Sequence, residues 1–168
     1  MKANRIVLAA AILPLLATAS NREGAARWSV MVDPVDSGKS TIAPEFKIAI
    51  YESLVTELGK AKQFTAVLRS GDRGAGNIGN LLTLKTTVES FTAGSETKRA
   101  VTTVAGATKI KVRAQLCTRD GQVLMERVVD GNVRFLGGNL RATHNLARHV
   151  AKSIERERLP APEPERSN

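Results

Sequence analysis

Residues 108–133 read TKIKVRAQLCTRDGQVLMERVVDGNV, and this stretch decides the fold. In its first half, the apolar residues Ile110, Val112, Ala114 and Leu116 alternate with basic or polar residues. A period of two is typical of a strand with one buried and one solvated face. Asp120-Gly121 then gives a strong hairpin-turn signal, and a second apolar run begins at Val123. The stretch therefore predicts an antiparallel hairpin.

The rest of the chain predicts three more strands and two helices. The predicted strands cover residues 27–35, 64–70 and 81–93, and the predicted helices cover 44–63 and 140–158. The resulting order is β-α-β-β-β-β-α, with a mainly antiparallel sheet of about five strands and two helices packed on one face. This pattern is typical of the α+β class. We expect one domain over residues 20–158, followed by a disordered Pro-rich tail over 159–168.

A glycine motif at residues 74–79 spells G-x-G-x-x-G, which also occurs in dinucleotide-binding loops. In those loops the motif opens a helix, because the pyrophosphate binds the free N–H groups at the helix N-terminus. Here the residues after Gly79 alternate with a period of two and include several Thr and Val residues. The sequence therefore favours a connection between two strands over a nucleotide site.

The first twenty residues, MKANRIVLAAAILPLLATAS, have the pattern of a secretory signal peptide over residues 1–19. Lys2 and Arg5 precede an apolar run that is shorter than the ~20 residues needed to span a bilayer. The cleavage site is defined by Ala17, Ala19 and Ser20. We therefore expect a periplasmic or secreted protein. No cysteine lies beside the cleavage site, so the sequence does not predict a lipoprotein; retention of the leader as an anchor stays open.

The chain is basic, with a formal net charge of +9 that falls to +7 if Lys2 and Arg5 are removed with the leader. For an exported protein, anionic lipid or lipopolysaccharide is a more natural counterpart than nucleic acid, which we do not expect as a partner. The basic residues predicted on the sheet face that the helices leave uncovered are Lys85, Lys109, Lys111 and Arg113. This face is the candidate surface for an anion or a partner.

The sequence does not bring together the residues of a catalytic site. Cys117 is the single cysteine, so no intramolecular disulfide can form. His144 and His149 are five residues apart, whereas metal-binding pairs on a helix need a spacing of three or four. No nucleophile, base and orienting group are recognisable together. We therefore expect neither an enzyme nor a cofactor or metal site.

LLTLKTTVESF, the hairpin quoted above and the closing helix together resemble an uncharacterised family of bacterial envelope proteins. Members of this family carry a domain of unknown function, and many are lipoproteins. The architecture is also similar to the amino-terminal domain of the Tol-system periplasmic protein and to the periplasmic domain of the curli-secretion lipoprotein. The resemblance covers roughly residues 28–158 and implies no catalytic residues. This chain departs from the lipoprotein members because it lacks the acylated cysteine.

Two functions follow as expectations. The first is a non-catalytic envelope module for protein interaction or assembly, which binds an unknown envelope protein by its sheet edge or by its basic face. The alternative is a binder of anionic envelope ligands, such as lipid headgroups or lipopolysaccharide, through the basic face. The sequence leaves the partner and the oligomeric state open.

Overall fold

A computed structural model of the chain describes residues 27–95, 107–133 and 140–162. The predicted leader and its cleavage residues Ala17, Ala19 and Ser20 lie outside these ranges. Within them the elements are β1 Ser29–Val32, α1 Pro44–Lys60, β2 Val67–Arg69, β3 Leu81–Thr92, β4 Thr108–Cys117, β5 Val123–Val133 and α2 Arg141–Arg156. A short 3₁₀ helix, Arg73–Asn77, lies between β2 and β3. The predicted α+β class and element order are confirmed.

The strands form one sheet in the order β2-β1-β3-β4-β5. The long strands β3, β4 and β5 pair with each other in antiparallel fashion, whereas β1 is parallel to both β2 and β3. The sheet is therefore mixed, although its larger part is antiparallel as predicted. The parallel pair of β1 and β2 arises because α1 connects them and returns the chain to the same end of the sheet.

The core lies between the sheet and the two helices. The alternation in β4 places Ile110, Val112, Ala114 and Leu116 in this core, each at most 1% exposed. The buried positions of α1 include Phe46, Ile50, Leu54 and Leu58, and those of α2 include Leu146, Val150 and Ile154. Because these residues recur every three or four positions, each helix buries one stripe and leaves the other side in solvent.

Helix α2 packs very closely on β5 at Gly131. A Cβ atom at this position would lie 2.5 Å from the Ala142 carbonyl oxygen and 2.5 Å from Leu146 Cβ. A side chain of any size would therefore push the helix away from the strand. Between the helices, the Ser53 and Thr143 hydroxyl oxygens are 3.4 Å apart and both residues are buried. Small side chains thus set how closely α2 approaches both the sheet and α1.

The chain after α2 returns to the start of β1. The Trp28 indole donates a hydrogen bond to the Pro160 carbonyl at 2.8 Å, and Leu159 packs partly buried against the core. The sequence predicted a disordered tail from residue 159; in the structure, its first two residues, Leu159 and Pro160, make these contacts with the domain. Residues 163–168 of the predicted tail lie outside the described residues. In the described part of the chain, no helix is long and apolar enough to cross a membrane.

Candidate functional site

The sheet surface that the helices leave uncovered is here named the open face. Its four predicted basic residues, Lys85, Lys109, Lys111 and Arg113, are all exposed. Lys85 belongs to β3, and the other three belong to the adjacent strand β4. In the pairing of these strands, Lys85 lies opposite Gln115. The structure therefore brings the predicted candidates onto one surface, but their surroundings differ.

Arg113 lies in the centre of the open face between two carboxylates. Its guanidinium contacts Glu89 Oε1 at 2.8 Å and Glu126 Oε1 at 2.5 Å. Hydrogen bonding with Glu89, reinforced by the charge of Glu126, raises the pKa of Arg113. Gln115 donates to Glu126 at 2.7 Å, and this bond together with Arg113 lowers the pKa of that carboxyl group. The centre of the predicted basic face is therefore neutralised.

The two lysines of β4 lie at one end of the open face. They line a depression of about 390 Å³, which we name the lysine depression. Its polar residues are Ser90, Thr92, Lys109, Lys111, Asp130 and Asn132. Lys111 Nζ is 4.0 Å from Asp130 Oδ1, and both side chains remain about half exposed, at 46% and 66%. In contrast to the centre, this end combines solvated ammonium groups with hydroxyl and amide groups.

A second surface lies beside α1, on the helix side of the molecule. Pro34, Val35, Pro44, Ile48 and Tyr51 line a largely apolar depression of about 500 Å³, which we name the apolar groove. Ile48 is 62% exposed, the highest value among the exposed large apolar side chains of the described residues. An apolar depression with a protruding isoleucine is typical of a protein contact surface.

The rim of the apolar groove is held by ionic contacts. Arg69 of β2 makes a bidentate pair with Glu52 at 2.6 and 2.7 Å, and its guanidinium carbon lies 5.6 Å from the Tyr51 ring centre. Hydrogen bonding with Glu52 raises the pKa of Arg69, while Arg69 lowers the pKa of Glu52. These contacts place a paired guanidinium beside the aromatic ring of the groove.

The long edge strand β5 is partly capped by side chains. The Asn132 carbonyl accepts a hydrogen bond from Asn145 Nδ2 at 2.8 Å, and the Asp130 carbonyl accepts one from His149 Nδ1 at 2.8 Å. Arg127 Nη1 donates to the Glu126 carbonyl at 3.0 Å. Because another chain adds to an edge through these groups, capping them opposes strand addition at β5. From the sequence alone, His149 was evaluated only as a possible metal ligand.

Residues 74–77 of the glycine motif make up most of the 3₁₀ helix, and Ile78 and Gly79 lead into a bend before β3. The predicted strand after Gly79 is thus confirmed. Arg119, from the β4–β5 turn, donates to the Ala75 carbonyl at 3.1 Å and to the Ile78 carbonyl at 2.9 Å. The motif therefore presents carbonyl oxygens to a cation, whereas a phosphate would need N–H donors.

The segment after β1 is held against β3. The Asp36 N–H donates to the Thr86 carbonyl at 2.9 Å, and the Asp36 carbonyl accepts from the Val88 N–H at 2.8 Å. Asp33 is partly buried beside this segment, and burial raises its pKa while the charge of Lys85 opposes the rise. Among the described residues, no three His, Cys, Asp or Glu side chains are grouped so as to hold a metal ion. Cys117 is buried at the end of β4.

No protein-family model and no curated protein matches the chain. Among solved structures, the chain is similar to a point variant of the PelC dodecamer from Paraburkholderia phytofirmans, with 17% identity, a TM-score of 0.56, and coverage of 75% of this chain and 88% of that chain. A PelC dodecamer in a second crystal form has 15% identity and a TM-score of 0.55, with coverage of 74% and 87%. The CT253 protein from Chlamydia trachomatis has 10% identity and a TM-score of 0.42, with coverage of 78% and 91%.

These three are structures of bacterial proteins. At such low sequence identities, the likeness to PelC shows the fold alone.

Proposed function

We propose that this chain is a non-catalytic assembly module of the bacterial envelope, and that its first partner is a further copy of itself. The observation that carries this proposal is the apolar groove with the protruding Ile48. The signal peptide predicted over residues 1–19 and the resemblance to envelope proteins support an envelope location.

If the copies assemble head to tail into a closed ring, each copy needs two different contact surfaces, because such contacts are heterologous. The second surface is the open face at β5, where Val128 is 50% exposed. Ile48 lies on the helix side of the molecule and Val128 on the open face, so the two residues point in different directions. The similar PelC structures are dodecamers, and this favours copies of the chain as the first occupant to test.

The capped edge of β5 disfavours strand addition as the mode of contact between copies. Side chains of Arg127, Asn145 and His149 already bond to carbonyl groups of this strand. We therefore propose that side-chain packing at the apolar groove, and not strand addition at β5, makes the contact.

The test is the molar mass of the purified mature protein by light scattering and native mass spectrometry. We expect an oligomer for the unaltered protein and monomers for Ile48→Asp and for Val128→Asp, because a carboxylate at a buried contact is costly. Leu140→Asp is the control, because Leu140 is 46% exposed but does not line the apolar groove; it lines a smaller neighbouring depression that shares only Glu52 with the groove. An unaltered protein that stays monomeric at high concentration would contradict self-assembly, and equal dissociation of all three variants would contradict the assigned surfaces.

A second function, the binding of anionic envelope ligands, is supported by the solvated lysines of the lysine depression. Retention on immobilised heparin tests this function. It should weaken steadily as salt rises, because salt screens exposed charges. Failure of the protein to bind heparin at low salt would remove this candidate.

A further inference from the structure

We propose that the lysine depression is a binding site for a carboxylated sugar, such as one unit of an acidic polysaccharide. This inference rests on the second function proposed above and gives it a location and a ligand class. The geometry, the charge and the lining chemistry of the depression each support it.

The geometry places two cations side by side within a ring of neutral polar groups. Lys109 and Lys111 are two residues apart on one face of β4, so their Cα atoms are about 7 Å apart. The strand register places Ser90 and Asp130 on either side of Lys111, and Thr92 and Asn132 on either side of Lys109. The two lysines can therefore converge on one anionic group while the flanking side chains surround it.

The charge balance favours a ligand that places a single negative charge in the depression. The lining contains two lysines and one aspartate, and Lys111 Nζ is 4.0 Å from the Asp130 carboxylate, beyond hydrogen-bond distance. Arg113, in contrast, is in contact with two carboxylates at 2.8 and 2.5 Å and is already neutralised. An anion on the open face would therefore bind at the lysines and not at the arginine.

The lining chemistry favours a sugar over a membrane surface. Membrane-binding surfaces combine cations with exposed apolar side chains that enter the lipid interface. In the lysine depression the apolar side chain is Ile110, which is 1% exposed. The Ser90 and Thr92 hydroxyls and the Asn132 amide match the hydroxyl groups of a sugar. The Asp130 carboxylate accepts hydrogen bonds from such hydroxyls, and it repels a doubly charged phosphate more strongly than a singly charged carboxylate.

The volume is also suitable, because about 390 Å³ lies within the range of roughly 300–1,000 Å³ that is usual for small-ligand sites. A depression of this size on a sheet surface holds a small part of a long chain. The ligand class is therefore a carboxylated oligosaccharide.

The experiment measures binding of a galacturonic acid trimer to the mature protein by calorimetry at low salt. The comparison ligands are a neutral galactose trimer, inorganic phosphate, and vesicles that contain phosphatidylglycerol. We expect the acidic trimer to bind best. We expect Lys109→Gln combined with Lys111→Gln to weaken it by about tenfold or more, because charge-assisted hydrogen bonds are lost.

Lys85→Gln, compared with Lys109→Gln alone, is the matched control, since each removes one charge from the same face, the first outside and the second inside the depression. We expect Lys85→Gln to change the affinity by less than about threefold. Urea unfolding of each variant checks the fold, and amide NMR shifts of Ser90 and Asn132 on adding the trimer check the location.

Each alternative outcome is distinct. If Lys85→Gln weakens binding as much as the double variant, the proposed location is wrong, whereas the anion-binding function stands. Equal or tighter binding of phosphate, vesicles or the neutral trimer would overturn the ligand class. If no anion binds the unaltered protein, the second proposed function fails together with this inference.

Discussion

Gly131→Ala tests directly how α2 is seated on the sheet. The added methyl carbon would lie 2.5 Å from the Ala142 carbonyl oxygen, 2.5 Å from Leu146 Cβ and 3.0 Å from Leu146 Cα. Two of these three atoms belong to the backbone of α2, so a rotation of one side chain cannot remove the overlap. The helix has to move away from β5.

The required movement sets the size of the effect. Carbon atoms in contact prefer a separation of about 3.5–4.0 Å, so α2 must shift by about 1 Å. Overpacking of this kind costs about 1–3 kcal/mol. Replacing glycine by alanine also restricts the unfolded chain, which offsets about 0.4–1 kcal/mol. The free energy of unfolding should therefore fall by about 1–2 kcal/mol, which is a considerable part of the roughly 5–15 kcal/mol by which domains are stable.

The assay is equilibrium unfolding in urea, followed by circular dichroism. With an m-value of about 2 kcal/mol per molar urea, the midpoint should fall by about 0.5–1 M while the slope stays unchanged. Gly59→Ala is the matched control, because a Cβ at this position in α1 has no atom within 4 Å. It should stabilise the protein by about 0.5–1 kcal/mol. A Gly131→Ala midpoint equal to or above that of the unaltered protein would refute the close seating of α2.

Three further predictions concern single positions. Gly38 has a φ of +55°, and a Cβ there would lie 2.7 Å from the Val88 carbonyl oxygen, so Gly38→Ala should lower the free energy of unfolding by about 1–3 kcal/mol in the same urea assay. Burial raises the pKa of Asp33 above its unfolded value of 3.8, because the charged form of a buried carboxyl group is disfavoured. The protonated side chain therefore favours the folded state fully below pH 3.8, and this contribution to stability is lost as the pH rises through the higher folded pKa. Asp33→Asn should therefore match the unaltered protein at acidic pH and exceed its stability at neutral pH; thermal unfolding curves that stay superimposed up to pH 7 would contradict this. Arg119→Ala removes the donor to the Ile78 carbonyl, so hydrogen exchange in the glycine segment should become faster, whereas unchanged protection would show that the contact is dispensable.

Local sequence patterns were sufficient to predict the strands and the helices. The period-two alternation of Ile110, Val112 and Ala114 depends only on neighbours in sequence, and the structure buries all three. The Asp120-Gly121 turn also needs only local chemistry, since Gly121 adopts a φ of +89°. The helix stripes follow from the same reasoning with a period of 3.6.

The arrangement of the site could not be predicted in the same way, because its partners are far apart in sequence. Arg113 is neutralised by Glu89 from another strand, and His149 bonds to the backbone of Asp130 across the helix–sheet contact. Each pairing depends on strand register and helix position, which no local pattern specifies. For the same reason Trp28 and Pro160, at opposite ends of the domain sequence, gave no signal of their hydrogen bond.

The ion pairs at the centre of the open face also determine whether self-assembly and sugar binding can occur on the same molecule. Val128 lies opposite Arg113 in the strand pairing, so a protein that covers Val128 also covers the arginine. Arg113 already has its carboxylate partners, and covering a paired ion is less costly than covering an unpaired one. Lys111 and Lys109 lie two and four residues before Arg113 on the same strand, about 7 and 13 Å away, and their ammonium groups stay in solvent if a partner covers only the centre. Assembly at Val128 and sugar binding at the lysine depression would then proceed together, so the galacturonic acid trimer should bind the oligomer as tightly as it binds a Val128→Asp monomer. An affinity that differs severalfold between these two forms would show that the surfaces overlap, and one of the two assignments would have to be withdrawn.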